Sequence, residues 1–358
     1  MQAPPQTPHR TQPQPLFPVK ATMNTSAYSR AAGALHGLAL GDALGMPTQM
    51  LPREQITARY GRVLTGFHSA AADHPLAAGM SAGSVTDDTE QALLLARLLL
   101  DGAGRIDAAE LARRLAAWEQ DMRARGSLDL LGPSTRLAVE QVLAGEPLDQ
   151  VGRTGTTNGA AMRITPVGIA VPSADLDTLV DRVVEASELT HNTGVALAGA
   201  AAVAAAVSAG VDGATVPEAV ALAVAAARRA VRRGHWVAAA DVAERIVWAG
   251  DLVRGASPEQ ACERVNLLVG TSLATQESVP AAFALLSALQ DDPWQATLLA
   301  ASVGGDCDTI AAITGAIAGA CHGVQAFPAD ARATVARVNH LDLDTLADRL
   351  LELRRAQA

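Results

Sequence analysis

Two acidic segments of this sequence have the residue types and spacing for chemistry. The first is the run Thr86 to Asp88, and the second is the run Asp306 to Thr309. Each lies directly before an apolar run that predicts a helix. Either segment alone could be only an N-terminal cap, because Asp and Thr accept hydrogen bonds from free helical N–H groups and suit the positive end of the helix dipole. Glu90, three residues after Asp87, even completes a capping-box pattern.

The duplication of this pattern favours a metal site over two separate caps. Two carboxylates and a threonine hydroxyl recur at two helix starts about 220 residues apart, which is more than capping requires. Four carboxylates that met in one cleft would repel each other unless cations neutralised them. Ligands that are all oxygen atoms favour Mg²⁺ or Mn²⁺ over zinc. Gly304 and Gly305 would also let the backbone approach a metal or a substrate closely.

The composition predicts one compact all-α domain. Hydrophobic residues make up 49% of the 358 residues but aromatic residues only 3%, and alanine, a strong helix former, dominates the apolar fraction. We expect a disordered leader at 1–25, rich in Pro and Gln, and a single domain at 26–358. The uncharged run 194–211 consists mostly of Ala and Gly without aromatic anchors, so a buried helix is a better interpretation than a membrane span.

Charge and cysteine content restrict the function classes. The net charge is −9 and no basic block occurs, which disfavours nucleic-acid binding. The three cysteines are scattered and form no CxxC pair, which favours a reducing compartment such as the cytoplasm. We therefore expect neither a nucleic-acid partner nor a membrane partner.

Apolar periodicity predicts helices along most of the chain and no strand. Residues 50–83 are expected to form a long irregular loop near a site. The predicted helices are 28–43, 86–100, 107–125, 134–144, 176–187, 194–209, 215–232, 238–252, 258–269, 278–290, 293–301, 308–322 and 344–356. Small residues four apart, as at Gly315 and Gly319, predict helices that pack closely.

Four segments of the sequence together resemble the ADP-ribosylglycohydrolase family, which includes the dinitrogenase-reductase-activating glycohydrolases. They are Gly37–Gly45, Thr86–Thr89, Asn158–Arg163 and Gly304–Thr309, in the family's order and over about residues 30–325. The resemblance implies a compact, orthogonal multi-helix fold with a central di-metal cleft. Two Mg²⁺ ions are expected there, with Mn²⁺ as the alternative.

The resemblance also implies roles for individual residues. The expected metal ligands are Thr86, Asp87 and Asp88 on one side and Asp306, Asp308 and Thr309 on the other. The expected substrate-binding residues are Asn158, Gly159, Ala160, Met162 and Arg163 at the ADP-ribose phosphates and ribose, together with Ser84, Asp129, His191, Gly304 and Gly305. The alternative for Asn158–Arg163 is an ordinary surface loop, and the alternative for His191 is a helix cap or a core histidine. The match at Asp129 is short.

Gln49 departs from the family pattern. Many members have a glutamate just after the Gly-Asp-Ala-Leu-Gly stretch, near a metal and the attacking water. The amide of Gln49 can ligate a metal through its oxygen but cannot take a proton as a carboxylate does. In that case Asp87, Asp88 or Asp306, or water activated by the metal, must supply the base. Alternatively, the substrate is not an ADP-ribosylated protein.

The sequence therefore predicts a metal-dependent hydrolase that cleaves the glycosidic bond of an ADP-ribosyl group. The expected partners are ADP-ribose, an ADP-ribosylated protein or a small ribosyl metabolite, and the chain is expected to be a monomer or a small homo-oligomer. One alternative is a ribosyl or nucleoside N-glycosidase on the same fold. Another is a non-catalytic ADP-ribose-binding protein, which the intact set of four aspartates disfavours.

Overall fold

The computed structural model describes residues 22–127 and 131–357, and its regular elements in these ranges are all helical. Isolated bridges occur, as between Leu51 and Gly305, but no strand forms in the described ranges. The all-α prediction is confirmed. The α-helices in chain order are α1 (Thr22–Gly45), α2 (Arg53–Tyr60), α3 (Asp87–Asp101), α4 (Ala108–Ala124), α5 (Pro133–Leu143), α6 (Gly159–Met162), α7 (Thr165–Ala170), α8 (Leu176–His191), α9 (Gly194–Val211), α10 (Val216–Ala230), α11 (Val242–Val253), α12 (Pro258–Arg264), α13 (Thr275–Ala288), α14 (Pro293–Ala300), α15 (Cys307–His322), α16 (Ala329–Asn339) and α17 (Leu343–Gln357). A π-helical turn (Val265–Val269) follows α12, and a 3₁₀ turn (Val324–Ala326) follows α15.

Helices α1 and α15 form the centre of the fold and run antiparallel. Glycines of α1 lie directly on the backbone of α15: a Cβ atom on Gly37 would be 2.0 Å from the carbonyl oxygen of Gly315, and one on Gly33 would be 2.3 Å from that of Gly319. Only glycine permits such an approach of two helix backbones. The C-terminal end of α1 at Gly45 therefore lies on Asp308, beside the second acidic segment.

Helix α9 lies in the interior. Every residue from Gly194 to Val211 is buried, and the helix contacts α7, α8, α10 and α15. Its length and apolar composition would allow it to cross a membrane, yet all of it is covered by protein. The prediction of a buried helix at 194–211 is confirmed.

Several helices were not predicted. The segment 50–83 is not irregular throughout, because it contains α2, whose only buried residue is Ile56. Helix α16 buries only Ala331 and Val335, so each of the two helices gives only a weak apolar pattern in its sequence. The short helices α6 and α7 are buried on all sides, which also removes the period. Most of the predicted leader at 1–25 lies outside the described residues.

Candidate active site

Asp42 of α1 holds the start of α3. Its carboxylate accepts hydrogen bonds from the backbone N–H of Thr86 at 3.0 Å and from the Thr86 hydroxyl at 2.7 Å. It also accepts from the N–H and the hydroxyl of Thr89, at 3.1 and 2.5 Å. Burial raises the pKa of Asp42 to about 6, although these hydrogen bonds lower it. Asp42 therefore fixes the first acidic segment on α1.

Sequence reasoning missed Asp42 as a site residue. It lies within the Gly37–Gly45 segment that carries the family resemblance, which was the available signal. The side chain is fully buried, so it acts on the segment beside it and not on the solvent. The Thr86 hydroxyl donates its proton to Asp42. Only the lone pairs of the hydroxyl oxygen are therefore available for the metal-ligand role expected of Thr86.

The second acidic segment is held mainly by its backbone. Gly305 donates its N–H to the carbonyl of Leu51 at 3.0 Å, and its own carbonyl accepts from the N–H of Met50 at 2.7 Å. The N–H of Asp306 donates to the carbonyl of Thr271 at 2.8 Å. Gly304 and Gly305 have φ values of 94° and 75°, which favour glycine. The two glycines thus set the position of Asp306.

The amide of Asn158 orients the carboxylate of Asp306. Its Nδ2 donates to Asp306 Oδ2 at 2.5 Å and to the Ser278 hydroxyl at 2.9 Å. Burial raises the pKa of Asp306 to about 6, while the bonds from Asn158 and Thr309 lower it. Asn158, predicted to bind substrate, also lines the cleft described below, so it both supports Asp306 and borders the cleft.

The two acidic segments meet. The hydroxyl of Thr309, at the start of α15, donates to Asp88 Oδ2 at 3.2 Å across 221 residues of sequence. Asp88 is 1% exposed, and its other oxygen, Oδ1, has no hydrogen-bond partner in the part of the chain that the structure describes. A buried carboxylate oxygen without a donor is costly, so this atom suits a bound cation.

The electrostatics of the cluster also fit a cation. The pKa of Asp88 is raised well above its usual value, first by burial and then by the negative charges of Asp308 and Asp87 and of two further aspartates. A divalent ion held by oxygen ligands would remove this repulsion. Over residues 22–127 and 131–357, however, no three His, Cys, Asp or Glu side chains already form a metal-binding group. The two-metal centre therefore stays a prediction.

A cleft of about 220 Å³ lies over the two segments. Nine of the predicted site residues that the structure describes line it. Among them, Gln49 has a buried Nε2 with no hydrogen-bond partner in the described ranges. The predicted residues in the lining are Gln49, Asp87, Asp88, Asn158, Gly159, Met162, Asp306, Asp308 and Thr309. The remaining wall is partly apolar, with Leu76, Leu131, Pro133 and Leu273. The cleft thus combines acidic groups with surfaces that exclude water.

Other predicted site residues lie outside this lining. Arg163 is 1% exposed and His191 is fully buried, and neither is among the residues that line the cleft, so their substrate contacts stay a prediction. Both bond to neighbouring side chains, because a buried charge or imidazole needs such partners. Ala160 is buried, and Ser84 is half-buried with its N–H bonded to the carbonyl of Ser81. Asp129 lies outside the described residues.

The fold and the site define an all-helical enzyme whose acidic cleft lies at two helix starts. Comparisons with known proteins agree with this class. The family model for ADP-ribosylglycohydrolase matches residues 23–358, so the chain belongs to the ADP-ribosylglycohydrolase family and is a glycosidic hydrolase of that type. The family prediction is confirmed.

Individual relatives extend this finding. The chain is 37% identical over 326 residues to the uncharacterized protein YegU of Escherichia coli (strain K12), covering 91% of this chain and 97% of that protein. It is 31% identical over 170 residues to the ADP-ribosyl-[dinitrogen reductase] glycohydrolase of Rhodospirillum rubrum, covering 47% of this chain and 53% of that protein. A solved ADP-ribosylglycohydrolase-related protein complex superposes with a TM-score of 0.65 at 26% identity, covering 93% of this chain and all of the other.

Proposed function

We propose that the chain is a magnesium-dependent hydrolase that cleaves the glycosidic bond between ADP-ribose and a protein side chain or a small leaving group. The observation that carries the proposal is the hydrogen bond from Thr309 to Asp88, which brings the two acidic segments into one cleft. Family membership supports the ADP-ribosyl part of the substrate.

The side chains around the cleft would each perform a defined task. The carboxylates of Asp88 and Asp306 would stabilise positive charge that develops at the ribose C1″ in the transition state. Asn158 holds Asp306 in one orientation, and Gln91 does the same for Asp87 by donating its Nε2 to Asp87 Oδ2 at 2.8 Å. The partly apolar wall would exclude bulk water and strengthen these interactions.

Residues from both segments would hold the magnesium. They are Thr86, Asp87, Asp88, Asp306, Asp308 and Thr309. When bound, the ion supplies Lewis acidity and relieves the repulsion between the carboxylates. Mn²⁺ would bind to the same oxygen ligands.

The direct test is the release of ADP-ribose from arginine-modified protein. We expect Mg²⁺-dependent release of ADP-ribose. In Asp306→Asn it should fall at least about 100-fold, because one negatively charged carboxylate at the reacting centre is lost. The exposed Asp291 provides the control, and Asp291→Asn should leave release unchanged. Full activity in a chelator would rule out the metal, and full activity of Asp306→Asn would rule out this cleft as the site.

A small ribosyl compound or nucleoside is the second candidate substrate. The cleft of about 220 Å³ is smaller than most drug-sized ligand pockets, which occupy about 300–1,000 Å³. Gln49 also presents a neutral amide where many family members have a carboxylate. Hydrolysis of a panel of ribosides, assayed beside the modified protein, separates the candidates: turnover of ribosides alone would favour the second.

A further inference from the structure

A buried arginine stands directly behind the wall of the cleft. Arg163 follows α6 and is 1% exposed, yet within the described ranges the hydrogen bonds of its guanidinium go to two neutral groups, the Gln91 amide and the Thr190 hydroxyl. Burial lowers the pKa of Arg163 to about 10, and the charge of Asp87 raises it. The positive charge of Arg163 is thus balanced by the carboxylate of Asp87, and the side chain of Gln91 lies between them.

The first arm of this arrangement runs from Arg163 to Asp87. Arg163 Nη1 donates to Gln91 Oε1 at 3.0 Å, and Gln91 Nε2 donates to Asp87 Oδ2 at 2.8 Å. A guanidinium can only donate and an ionised carboxylate can only accept, so the amide of the fully buried Gln91 has one permitted orientation. Arg163 therefore determines how Gln91 presents its N–H to Asp87.

The second arm runs from Arg163 to His191. The Thr190 hydroxyl accepts from Arg163 Nη2 at 2.6 Å, which leaves its single proton for another acceptor. His191 Nδ1 lies 2.7 Å away and the carbonyl of Ser187 lies 3.4 Å away, so the imidazole is the better acceptor. Burial and the charge of Arg163 place the pKa of His191 well below its usual value, so the ring is neutral and has one N–H.

The tautomer of His191 follows from these directions. Because Nδ1 accepts, the proton lies on Nε2, which donates to the Thr157 hydroxyl at 3.0 Å. Thr157 in turn donates to the Ser134 hydroxyl at 2.9 Å. Thr157 lines the same cleft as Asp87, and its hydroxyl is thereby held in one orientation.

We propose that Arg163 is a positioning residue that orients two walls of the cleft at once, Asp87 through Gln91 and Thr157 through Thr190 and His191. This role differs from the phosphate contact that the family resemblance implies for Arg163. It rests on the proposed function, since that function makes Asp87 and Thr157 part of the working cleft. The hydrogen-bond directions themselves do not depend on the substrate.

Each arm can be removed separately by one substitution. Gln91→Leu removes the first arm, Thr190→Val removes the second with little change of shape, and Arg163→Met removes both. Arg354→Met is the control, because Arg354 is another buried arginine, 7% exposed, which donates to the carbonyls of Ile169 and Val171 and pairs with Asp212. It tests the general cost of losing a buried guanidinium.

Nitrogen NMR of the histidine rings reads the second arm without any turnover. His191→Gln assigns the signal, and the unaltered protein should show the Nε2–H tautomer of His191. Thr190→Val and Arg163→Met should lose this preference, whereas Gln91→Leu and Arg354→Met should keep it. An unchanged tautomer in both Thr190→Val and Arg163→Met would overturn the second arm. If Arg163→Met does not fold, Thr190→Val decides alone.

Calorimetric titration with Mg²⁺ reads the first arm. Gln91→Leu and Arg163→Met should bind Mg²⁺ about 10-fold or more weakly, as is usual when a group behind a metal ligand is removed. Thr190→Val and Arg354→Met should bind it as the unaltered protein does. Unchanged Mg²⁺ affinity in Gln91→Leu would overturn this arm. Absence of Mg²⁺ binding by the unaltered protein would contradict the proposed function instead, while the tautomer would still decide the inference.

Discussion

The two acidic segments resemble each other in sequence but are held in place by different means. The first is held by side chains, with the Asp42 carboxylate beneath Thr86 and Gln91 beside Asp87. The second is held by its backbone, through the pairing of Gly305 with Leu51, and by one amide. Similar motifs at two helix starts therefore respond to different kinds of substitution.

This difference has a physical origin. Helix α3 begins over the end of α1, where a buried carboxylate can satisfy several free N–H and hydroxyl donors. Helix α15 follows a turn with two consecutive positive φ angles, and glycine is needed there. The first segment thus depends on a buried charge and the second on backbone freedom.

The largest expected effect comes from removing the carboxylate under the first segment. Asp42→Ala would leave the buried donors of Thr86 and Thr89 without an acceptor, so we expect a loss of about 3–5 kcal/mol in the free energy of unfolding, together with loss of hydrolysis. Urea denaturation measures the loss in the free energy of unfolding. Asp107→Ala, at the exposed N-cap of α4, is the control and should cost only about 1 kcal/mol. Equal losses in the two variants would mean that Asp42 is an ordinary cap.

A smaller effect is expected from the backbone of the second segment. A Cβ atom on Gly305 would lie 2.3 Å from the carbonyl oxygen of Thr271, at a φ of 75°. Gly305→Ala should therefore cost about 2–4 kcal/mol in unfolding free energy from strain and overlap together.

Gly79 provides a matched control for this substitution. It has a φ of 81° with no atom within 4 Å of its Cβ position, so Gly79→Ala reports the strain alone, about 1 kcal/mol. Thermal or urea unfolding of both variants gives the difference. If Gly79→Ala were as destabilising as Gly305→Ala, the close contact with Thr271 would have no measurable role.

The smallest expected effect concerns the amide that orients Asp306. Asn158→Ala should reduce ADP-ribose release about 10-fold and cost about 1–3 kcal/mol of stability, because a charge-assisted hydrogen bond is lost. Asn266→Ala is the control, since Nδ2 of Asn266 donates to the carbonyl of Val303 near the same turn but not to a carboxylate. Asn266→Ala should lower stability without lowering hydrolysis. An equal loss of hydrolysis in Asn158→Ala and Asn266→Ala would contradict the special role of Asn158.

Sequence patterns were most informative where composition and periodicity coincide. The alanine-rich composition predicted the all-α fold, and α9 was predicted as a buried helix from its uncharged run of small residues. Helices α2 and α16 escaped prediction because each buries so few residues that its apolar pattern is weak. The segment 50–83 was for that reason wrongly expected to be irregular throughout.

By itself, the sequence determined the fold class, the family and the residue types of an acidic site, because these depend on local composition and on motifs that occur in a known order. Only the tertiary structure decided which groups share the cleft and which stand behind it. It placed Asp42 beneath the first segment, and Arg163 and His191 behind the wall of the cleft. Burial and hydrogen-bond direction decide between contact and support, and both are properties of packing between distant helices.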